Sequence, residues 1–143
     1  MPSANPTMVK FGYPNTLVGE TLHWSLLVRP QQATLGAMVA VCREAALAFD
    51  SLSAAAFSDL QAMTQGIRRV LDGTFAPDKL NYVMLMMVDP DVHFHVLPRY
   101  ATERFWNGGR YQDPYWPKPV DLTQPPPATP DIAALTAFLR ARW

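Results

Sequence analysis

The spacing of apolar and polar residues along this 143-residue chain changes several times, and each pattern predicts a different element. Segments 21–30, 34–42 and 79–88 are short apolar runs bounded by polar or turn-forming residues, which is typical of strands. We expect segment 79–88 to be buried on both faces, because its apolar run is nearly uninterrupted. The Asp89-Pro90 pair then predicts a turn into a further strand that pairs with it antiparallel.

A different period begins at residue 53, where apolar side chains recur at helical spacing. Ser53 is a typical N-cap residue and Gly73 a typical stop, so the main helix is predicted between them. A shorter helix is expected within residues 43–49. The combination of strands and one long helix predicts an α+β protein, in which an antiparallel sheet packs against that helix.

The C-terminal part of the chain begins with the Pro-rich stretch 123–130, which predicts a stiff, extended linker. Thr129 is expected to cap a last helix and Pro130 to open it. We therefore expect one domain over residues 1–120, with the linker and helix of 121–143 packed on it. The apolar stripe of this helix consists of Ile132, Leu135, Phe138, Leu139 and Trp143.

Four aromatic residues lie in a Gly- and Pro-rich segment for which we predict no regular structure. One interpretation is that their rings seal the edge of the sheet against water. The other is that some of them stack on a ligand. The four residues are Trp106, Tyr111, Tyr115 and Trp116.

Composition narrows the class of function. Half of the residues are apolar and 17% are charged, which is typical of a folded, soluble protein. The formal net charge is zero, which argues against binding to a nucleic-acid duplex. Residues 1–15 do not have the pattern of a secretory signal, and no apolar run is long enough to span a membrane. Together with the single Cys42, these features favour the cytoplasm.

The candidate chemistry lies in "VDPDVHFHVLPRY", residues 88–100. In a strand, Asp91, His93 and His95 would point to one face, and the apolar residues between them to the other. Three interpretations are open: half-exposed polar residues, metal ligands, or a nucleophilic histidine with its neighbours.

The strand geometry separates the last two interpretations. Asp91 and His95 would lie about 13 Å apart by strand rise alone, so one metal ion cannot easily reach both. A metal site would need another ligand, and His23 is the remaining histidine. An imidazole that attacks phosphorus instead needs its neighbours in a row along the substrate.

"DVHFHVLPR" resembles the signature of the histidine triad (HIT) family, in which three histidines alternate with apolar residues. The stretch "HWSLLVRPQQATLGAMVAV", the long helix and the strand containing Asn81 follow in the family's order, so the resemblance covers roughly residues 11–100. It implies a five-stranded antiparallel sheet that extends across a homodimer. It also implies hydrolysis or transfer of nucleotidyl groups at an α-phosphate, as in diadenosine polyphosphate hydrolases, without a metal or cofactor.

Carried over by position, the resemblance implies that His93 is the nucleophile and His95 the third member of the triad. Asp91 occupies the place of the first histidine and is expected to take part in catalysis. Binding of the nucleotide is expected from three polar residues on the strands. These are Arg29, Asn81 and Arg99.

Several positions depart from the family's pattern. Met86 and Met87 stand where the family has a Gly-Gln or Gly-Asn pair that holds phosphate, and Arg29 replaces an Asp that commonly meets the ribose. Two functions therefore stay open. One is a nucleotidyl hydrolase or transferase that forms a nucleotidyl-histidine intermediate. The other is a protein of the same fold that binds a nucleotide or phosphate with little or no turnover.

Overall fold

A computed structural model describes residues 4–126 and 128–143 and contains a five-stranded antiparallel sheet in the order β1-β2-β3-β5-β4. The predicted α+β architecture is confirmed. A separate two-stranded hairpin, β6-β7, follows the sheet. The strands are β1 (Leu17–Glu20), β2 (Trp24–Val28), β3 (Met38–Cys42), β4 (Lys79–Val83), β5 (His93–Arg99), β6 (Arg104–Trp106) and β7 (Gly109–Tyr111).

The long helix lies where it is predicted, and the last helix begins later than predicted. Helix α2 (Ala54–Asp72) begins after Ser53, whose hydroxyl accepts a hydrogen bond from the Ala56 amide, and it ends at Gly73. Helix α3 (Ile132–Arg140) is capped by Asp131, not by Thr129 as predicted. The carboxylate of Asp131 accepts a hydrogen bond from the Ala134 amide, and aspartate is as good an N-cap residue as threonine. A one-turn helix, α1 (Pro6–Lys10), precedes the sheet.

The two faces of the sheet are covered differently. One face packs against α2 and α3 and forms the main apolar core. The other face carries a small second cluster in which Met8 and Phe11, from α1 and its C-terminal end, cover Leu27, Val39 and Val41. Because α1 has only five residues, it covers part of this face and leaves the His93 end of β5 beside an open cleft.

Two predictions about local structure are wrong. Segment 43–49 has no α-helix, and only a single 3-10 turn, Phe49–Ser51, follows it. Strand β4 ends at Val83 and its side chains are exposed or half-buried, whereas segment 79–88 was expected to be a strand buried on both faces. The reason is that β4 pairs only with β5 and forms an edge of the sheet. After Val83 the chain leaves the sheet, and Leu85, Met87 and Val88 are exposed beside the cleft.

The aromatic segment expected to be irregular instead forms the hairpin β6-β7. Asn107 and Gly108 have φ values of 49° and 78°, the positive values that a two-residue hairpin turn requires. Trp106 and Tyr111 pack against the main core, and the Trp106 ring lies 5.4 Å from the Phe138 ring. Trp106 and Tyr111 therefore close the core, which agrees with the first of the two interpretations.

Trp143 fixes the C-terminal helix against the rest of the protein. Its indole ring lies so close to two glycines that a Cβ atom would be 2.3 Å from the ring at Gly19 and 2.5 Å at Gly66. Gly19 belongs to β1 and Gly66 to α2. The ring of the C-terminal residue therefore packs against both a strand and a helix. Leu135 and Leu139 of α3 are buried in the main core, against which Trp143 also packs.

Residues 1–3 of the N-terminal segment and residue 127 of the predicted linker lie outside the described residues. Within the described ranges, no helix is both long enough and apolar enough to cross a lipid bilayer.

Candidate functional site

A cleft of about 660 Å³ lies on the sheet face that α1 covers only in part. It contains three of the predicted site residues, His93, His95 and Arg29. Its walls come from the end of α1, the β2-β3 loop, the β4-β5 loop and the C-terminal segment. The lining residues are Lys10, Phe11, Arg29, Pro30, Gln31, Leu85, Met86, Met87, Val88, Asp89, His93, His95, Leu122 and Thr123.

His93 is held in one tautomer by the backbone. Its Nδ1 atom lies 2.7 Å from the carbonyl oxygen of Asp91. A carbonyl oxygen only accepts hydrogen bonds, so Nδ1 carries a proton and donates it. In the neutral ring the free lone pair is then on Nε2. His93 is buried and its ring packs near Phe11, so its orientation is fixed before any ligand arrives.

His95 is a neutral neighbour of His93. The two ring centroids are 5.3 Å apart and the rings meet edge to face. His95 is buried, and among the described residues its Nδ1 atom has no hydrogen-bond partner. Burial, followed by the charge of Arg29, lowers the pKa of His95 from 6.5 to about 4. At neutral pH His95 can therefore donate or accept a hydrogen bond without contributing positive charge.

Arg29 brings a buried positive charge to the cleft. The residue as a whole is 8% exposed, and its Nη1 atom donates a hydrogen bond to the carbonyl of Gln31 at 2.7 Å. Within the described part of the chain, its Nε atom is buried without a hydrogen-bond partner. Burial lowers the pKa of Arg29. Burying a guanidinium without a carboxylate partner costs free energy, because the charge loses its hydration. An anionic group of a ligand would offset that cost.

Comparison with known proteins identifies the fold. No family model matches the chain, and no curated protein matches it. Among solved structures, a histidine triad protein from Marinobacter aquaeolei is 21% identical with a TM-score of 0.73, over 99% of this chain and 95% of that one. One from Bradyrhizobium japonicum is 19% identical with a TM-score of 0.73, over 98% and 96%. The chain has the histidine triad fold.

A more distant structure with the histidine triad fold is a diadenosine triphosphate hydrolase from Plasmodium falciparum, solved in complex with cyclomarin A. It is 9% identical with a TM-score of 0.62, and the match covers 90% of this chain and 74% of that one. At such low identities the comparisons establish the fold, and the chemistry has to be argued from the residues of the cleft.

Asp91, which the sequence resemblance aligns with the first histidine of the triad, does not line this cleft. It is buried, and its carboxylate accepts hydrogen bonds from the amide and the hydroxyl of Thr7, at 3.2 and 2.9 Å. The Asp91 amide donates in turn to the Thr7 hydroxyl. Asp91 therefore joins the start of β5 to α1, the helix that leads to Phe11. Its contact with His93 is made through its backbone carbonyl.

Asn81 and Arg99 lie on β4 and β5 but outside the cleft. Arg99 donates through Nε to Asp113 at 2.8 Å and through Nη1 to Asn81 at 2.8 Å. The Arg99 and Asp113 side chains are both buried. Arg99 and Asp113 thus form a buried ion pair that fixes the segment after β7. The structure does not place Asn81 and Arg99 in the cleft with the histidines.

Sequence reasoning missed the walls of the cleft. Lys10 forms an ion pair with Asp89 at 2.7 Å, which links α1 to the β4-β5 loop. Leu122 and Thr123, from the segment predicted to be a linker, also reach the cleft. These residues approach from distant parts of the chain, so no local pattern could reveal them. The exposed, apolar Met-rich run was a visible signal, but it was interpreted as a buried strand.

The structure also bears on the metal interpretation. Within the described residues, no group of three or more His, Cys, Asp and Glu side chains is arranged to hold a metal ion. His23, the additional ligand that such a site would need, lies beside Glu44, with 3.6 Å between His23 Nδ1 and Glu44 Oε2.

The lowered pKa of His95 predicts a specific pH dependence of stability. The folded protein keeps His95 neutral down to about pH 4, whereas the unfolded chain takes up this proton near pH 6.5. Between these values the unfolded state binds more protons, so the free energy of unfolding should rise with pH from about 4 to 6.5. For this group the rise amounts to at most about 3 kcal/mol and ends above pH 6.5. Urea unfolding at several pH values, repeated with His95→Gln, measures it. An equal slope in both proteins would contradict the prediction.

A second prediction concerns the Asp91–Thr7 contact. Thr7→Val keeps the shape of the side chain but removes the hydroxyl, which leaves two buried polar groups of Asp91 without that partner. We expect a loss of about 1–3 kcal/mol in unfolding free energy. Because the two residues contact each other, Thr7→Val combined with Asp91→Asn should cost less than the sum of the single changes. Urea unfolding of the four proteins tests this. Strict additivity would show that the contact contributes nothing to stability.

Proposed function

We propose that this chain is a member of the histidine triad family that binds a nucleotide and hydrolyses or transfers its nucleotidyl group at the α-phosphate. The observation that carries the proposal is the tautomer of His93, whose Nδ1–H is fixed by the Asp91 carbonyl. This contact places the lone pair of the neutral form of the ring on Nε2, and the cleft that His93 lines also contains the buried cation Arg29. A neutral imidazole beside a buried positive charge is suited to attack a phosphorus atom that carries anionic oxygens.

The reaction then has two steps. In the first, Nε2 of His93 attacks phosphorus, a phosphorus–nitrogen bond forms, and the bond to the leaving group breaks with its electron pair. The leaving group takes up a proton. In the second step a water molecule, or another acceptor, attacks the same phosphorus and gives up a proton to solvent. The phosphorus–nitrogen bond breaks, and Nε2 recovers its lone pair. The products are the leaving group and a nucleoside monophosphate or its transfer product.

The residues take different parts in this proposal. Arg29 offsets the charge of the phosphate oxygens. The Nδ1 atom of His95, which has no hydrogen-bond partner among the residues that the structure describes, can bond to the ligand beside His93. Asp91 contributes through its backbone carbonyl and through its contact with α1, which makes it a positioning residue rather than an acid that touches the substrate. We propose no role in binding for Asn81 and Arg99 in the cleft of their own protomer, because their side chains bond to each other and to Asp113.

The test of the function is covalent trapping. Protein mixed with a dinucleoside polyphosphate, quenched within the time of a few turnovers and analysed by mass spectrometry should carry one nucleotidyl group. Peptide mapping should locate that group on His93. A labelled protein whose adduct is on any other residue, or turnover without an adduct at the shortest times, would contradict the mechanism.

The alternative function is a binding protein of the same fold with little turnover. The β4-β5 loop favours it, because apolar side chains occupy the stretch 85–88 that faces the cleft, and they cannot hold phosphate oxygens. Calorimetry and turnover assays with the same panel of nucleotides separate the two functions. Binding without any release of product would favour the alternative.

We also propose that the protein is a homodimer joined through β4. This strand is an edge of the sheet, and Tyr82 is 41% exposed on it. An unprotected edge is open to pairing with a second copy, which would continue the sheet. Sedimentation equilibrium at micromolar concentration should give twice the chain mass of 16.0 kDa. Tyr82→Pro should shift the mass toward one chain, because proline cannot donate to a neighbouring strand. A mass of one chain for the unchanged protein would contradict the proposal.

A further inference from the structure

The β4-β5 loop places a continuous apolar surface at the mouth of the cleft. Leu85 is 52% exposed, Met87 84% and Val88 79%, and all three line the cleft. Met86 lies between them, lines the cleft as well and packs against the main core. We refer to Leu85, Met86, Met87 and Val88 as the apolar rim. Large apolar side chains that are exposed together beside a cavity are typical of a binding surface.

The backbone of the rim is held in an unusual conformation. Met86 has a φ of 52°, in the left-handed region that a side chain such as methionine rarely adopts. Leu85 and Met87, the residues on either side of it, both line the cleft. Further apolar surface faces the rim from other elements. It comes from Phe11, Pro30 and Leu122.

The charges of the cleft are distributed differently from its apolar surface. Lys10 and Asp89 compensate each other in an ion pair. Arg29 is buried, and no carboxylate bonds to it among the described residues. The cleft therefore combines one uncompensated positive charge beside the histidines with an extended apolar wall. Its complement is an anion that carries a large apolar group.

We propose that the ligand is an amphipathic phosphate: a nucleoside 5′-phosphate joined through its phosphate to an aliphatic or aromatic group, which the apolar rim binds. This inference rests on the proposed function, because it assumes that the phosphate lies at His93 and Arg29. It names the substrate class as nucleotidyl esters or mixed anhydrides of an apolar alcohol or acid. The apolar group leaves in the first step of the reaction given above.

The chemistry of the rim favours an apolar group over a second nucleotide. A ribose carries hydroxyl groups and a base carries a hydrogen-bonding edge, and both lose their bonds to water when they are buried. The side chains of four successive apolar residues offer them no replacement, and each unmet polar group costs affinity. An aliphatic or aryl group has no such requirement, and flexible methionine side chains fit varied apolar shapes.

A series of substrates that differ only in apolar length tests the inference. In adenosine 5′-monophosphate esters of 4-alkylphenols, from methyl to hexyl, the acidity of the leaving phenol stays nearly constant while the apolar group becomes longer. We expect kcat/KM to increase roughly fourfold for each methylene that the rim buries, and at least tenfold over the series. Met87→Gln has a side chain of similar length but with a polar end. It should reduce the increase over the series to about threefold or less.

Leu22→Gln is the matched control. Leu22 is a large apolar residue with 85% exposure, in the turn between β1 and β2 and outside the cleft lining. The Leu22→Gln protein should show the full dependence on chain length. Equal dependence in Met87→Gln and Leu22→Gln would overturn the assignment of the rim.

Other outcomes separate this inference from the proposed function. Hydrolysis of every ester at the same rate, with the adduct on His93, would overturn the amphipathic ligand and leave the function standing. If no ester is hydrolysed, calorimetry with the same esters decides. Affinity that increases with chain length supports the inference and contradicts catalysis, and affinity that does not increase contradicts both. A Met87→Gln protein that sediments with half the mass of the parent would assign the rim to a subunit interface and overturn the inference.

Discussion

His93→Asn should reduce kcat/KM for nucleotide hydrolysis by about 10⁴-fold or more, because it removes the atom that attacks phosphorus. Asparagine has an amide that can still donate to the Asp91 carbonyl, which His93 reaches at 2.7 Å. The buried hydrogen bond is thereby kept, and the melting temperature should change little. Steady-state kinetics and the mass of the trapped protein measure the two consequences, loss of turnover and loss of the nucleotidyl adduct.

His23→Asn is the control for this experiment. His23 is the one histidine outside the β5 pair, and it lies beside Glu44 rather than in the cleft. Its replacement should leave both turnover and the adduct at the level of the parent protein. If His93→Asn kept more than a hundredth of the parent activity, His93 would not be the nucleophile. An equal loss in His23→Asn would point to a general effect on the fold.

Arg99→Met should reduce the free energy of unfolding by about 3–5 kcal/mol, because it leaves the Asp113 carboxylate buried without its cation. The Asp113 side chain is 0% exposed, and it also accepts hydrogen bonds from the backbone amides of Tyr100, Tyr115 and Trp116. The ion pair thus connects the end of β5 with the chain after β7. Such a loss is a third or more of the stability of a typical domain. Urea unfolding of parent and variant gives the difference.

Arg68→Gln provides the matched comparison, since it breaks an ion pair with Asp72 that is about half exposed on both sides. Exposed pairs of this kind contribute about 0–1 kcal/mol. The Arg99 variant should differ from the Arg68 variant by several kcal/mol, while both keep the nucleotide affinity of the parent at temperatures where they are folded. If Arg99→Met were nearly as stable as the parent but bound nucleotide more weakly, Arg99 would have the role in nucleotide binding that the sequence predicts.

The parts of the fold that were predictable are those in which local chemistry and tertiary packing agree. Helix α2 combines an N-cap at Ser53, a stop at Gly73 and an apolar stripe that the sheet covers, so three independent signals gave the same bounds. Strand β5 was recognised from the alternation of His93 and His95 with apolar residues. At both places the side chains alone specify the backbone.

The errors occurred where the burial of a segment depends on its neighbours. The apolar run after Lys79 is compatible with a central strand, and only the strand order makes β4 an edge. The hairpin at Asn107-Gly108 has a strong local turn signal, which the prediction of no regular structure for this segment did not take into account. The aromatic rings are ordered because Phe138, from a helix about thirty residues further along, packs against Trp106.

The candidate site was predictable along one strand and not across the cleft. The alternation in β5 places His93 and His95 side by side, and Arg29 reaches the same cleft from the loop that follows β2. Asp91 shares their period in the sequence, yet its carboxylate is bonded to Thr7, 84 residues away. A partner at such a distance cannot be inferred from spacing. Because the carboxylate is bonded to Thr7, it holds α1 against β5 and does not face the cleft.

The contact of Trp143 with Gly19 and Gly66 has an evolutionary consequence. A glycine within a helix costs about 1 kcal/mol relative to alanine, and α2 carries that cost at Gly66 because the indole ring occupies the space of a Cβ atom. Relatives that lack a large ring at the position of Trp143 are free to replace this glycine and recover the helix propensity. Substitutions at the two positions should therefore be correlated among homologous sequences, with alanine or larger residues in the helix accompanying a small residue at the chain end, although 77 residues separate them in the sequence.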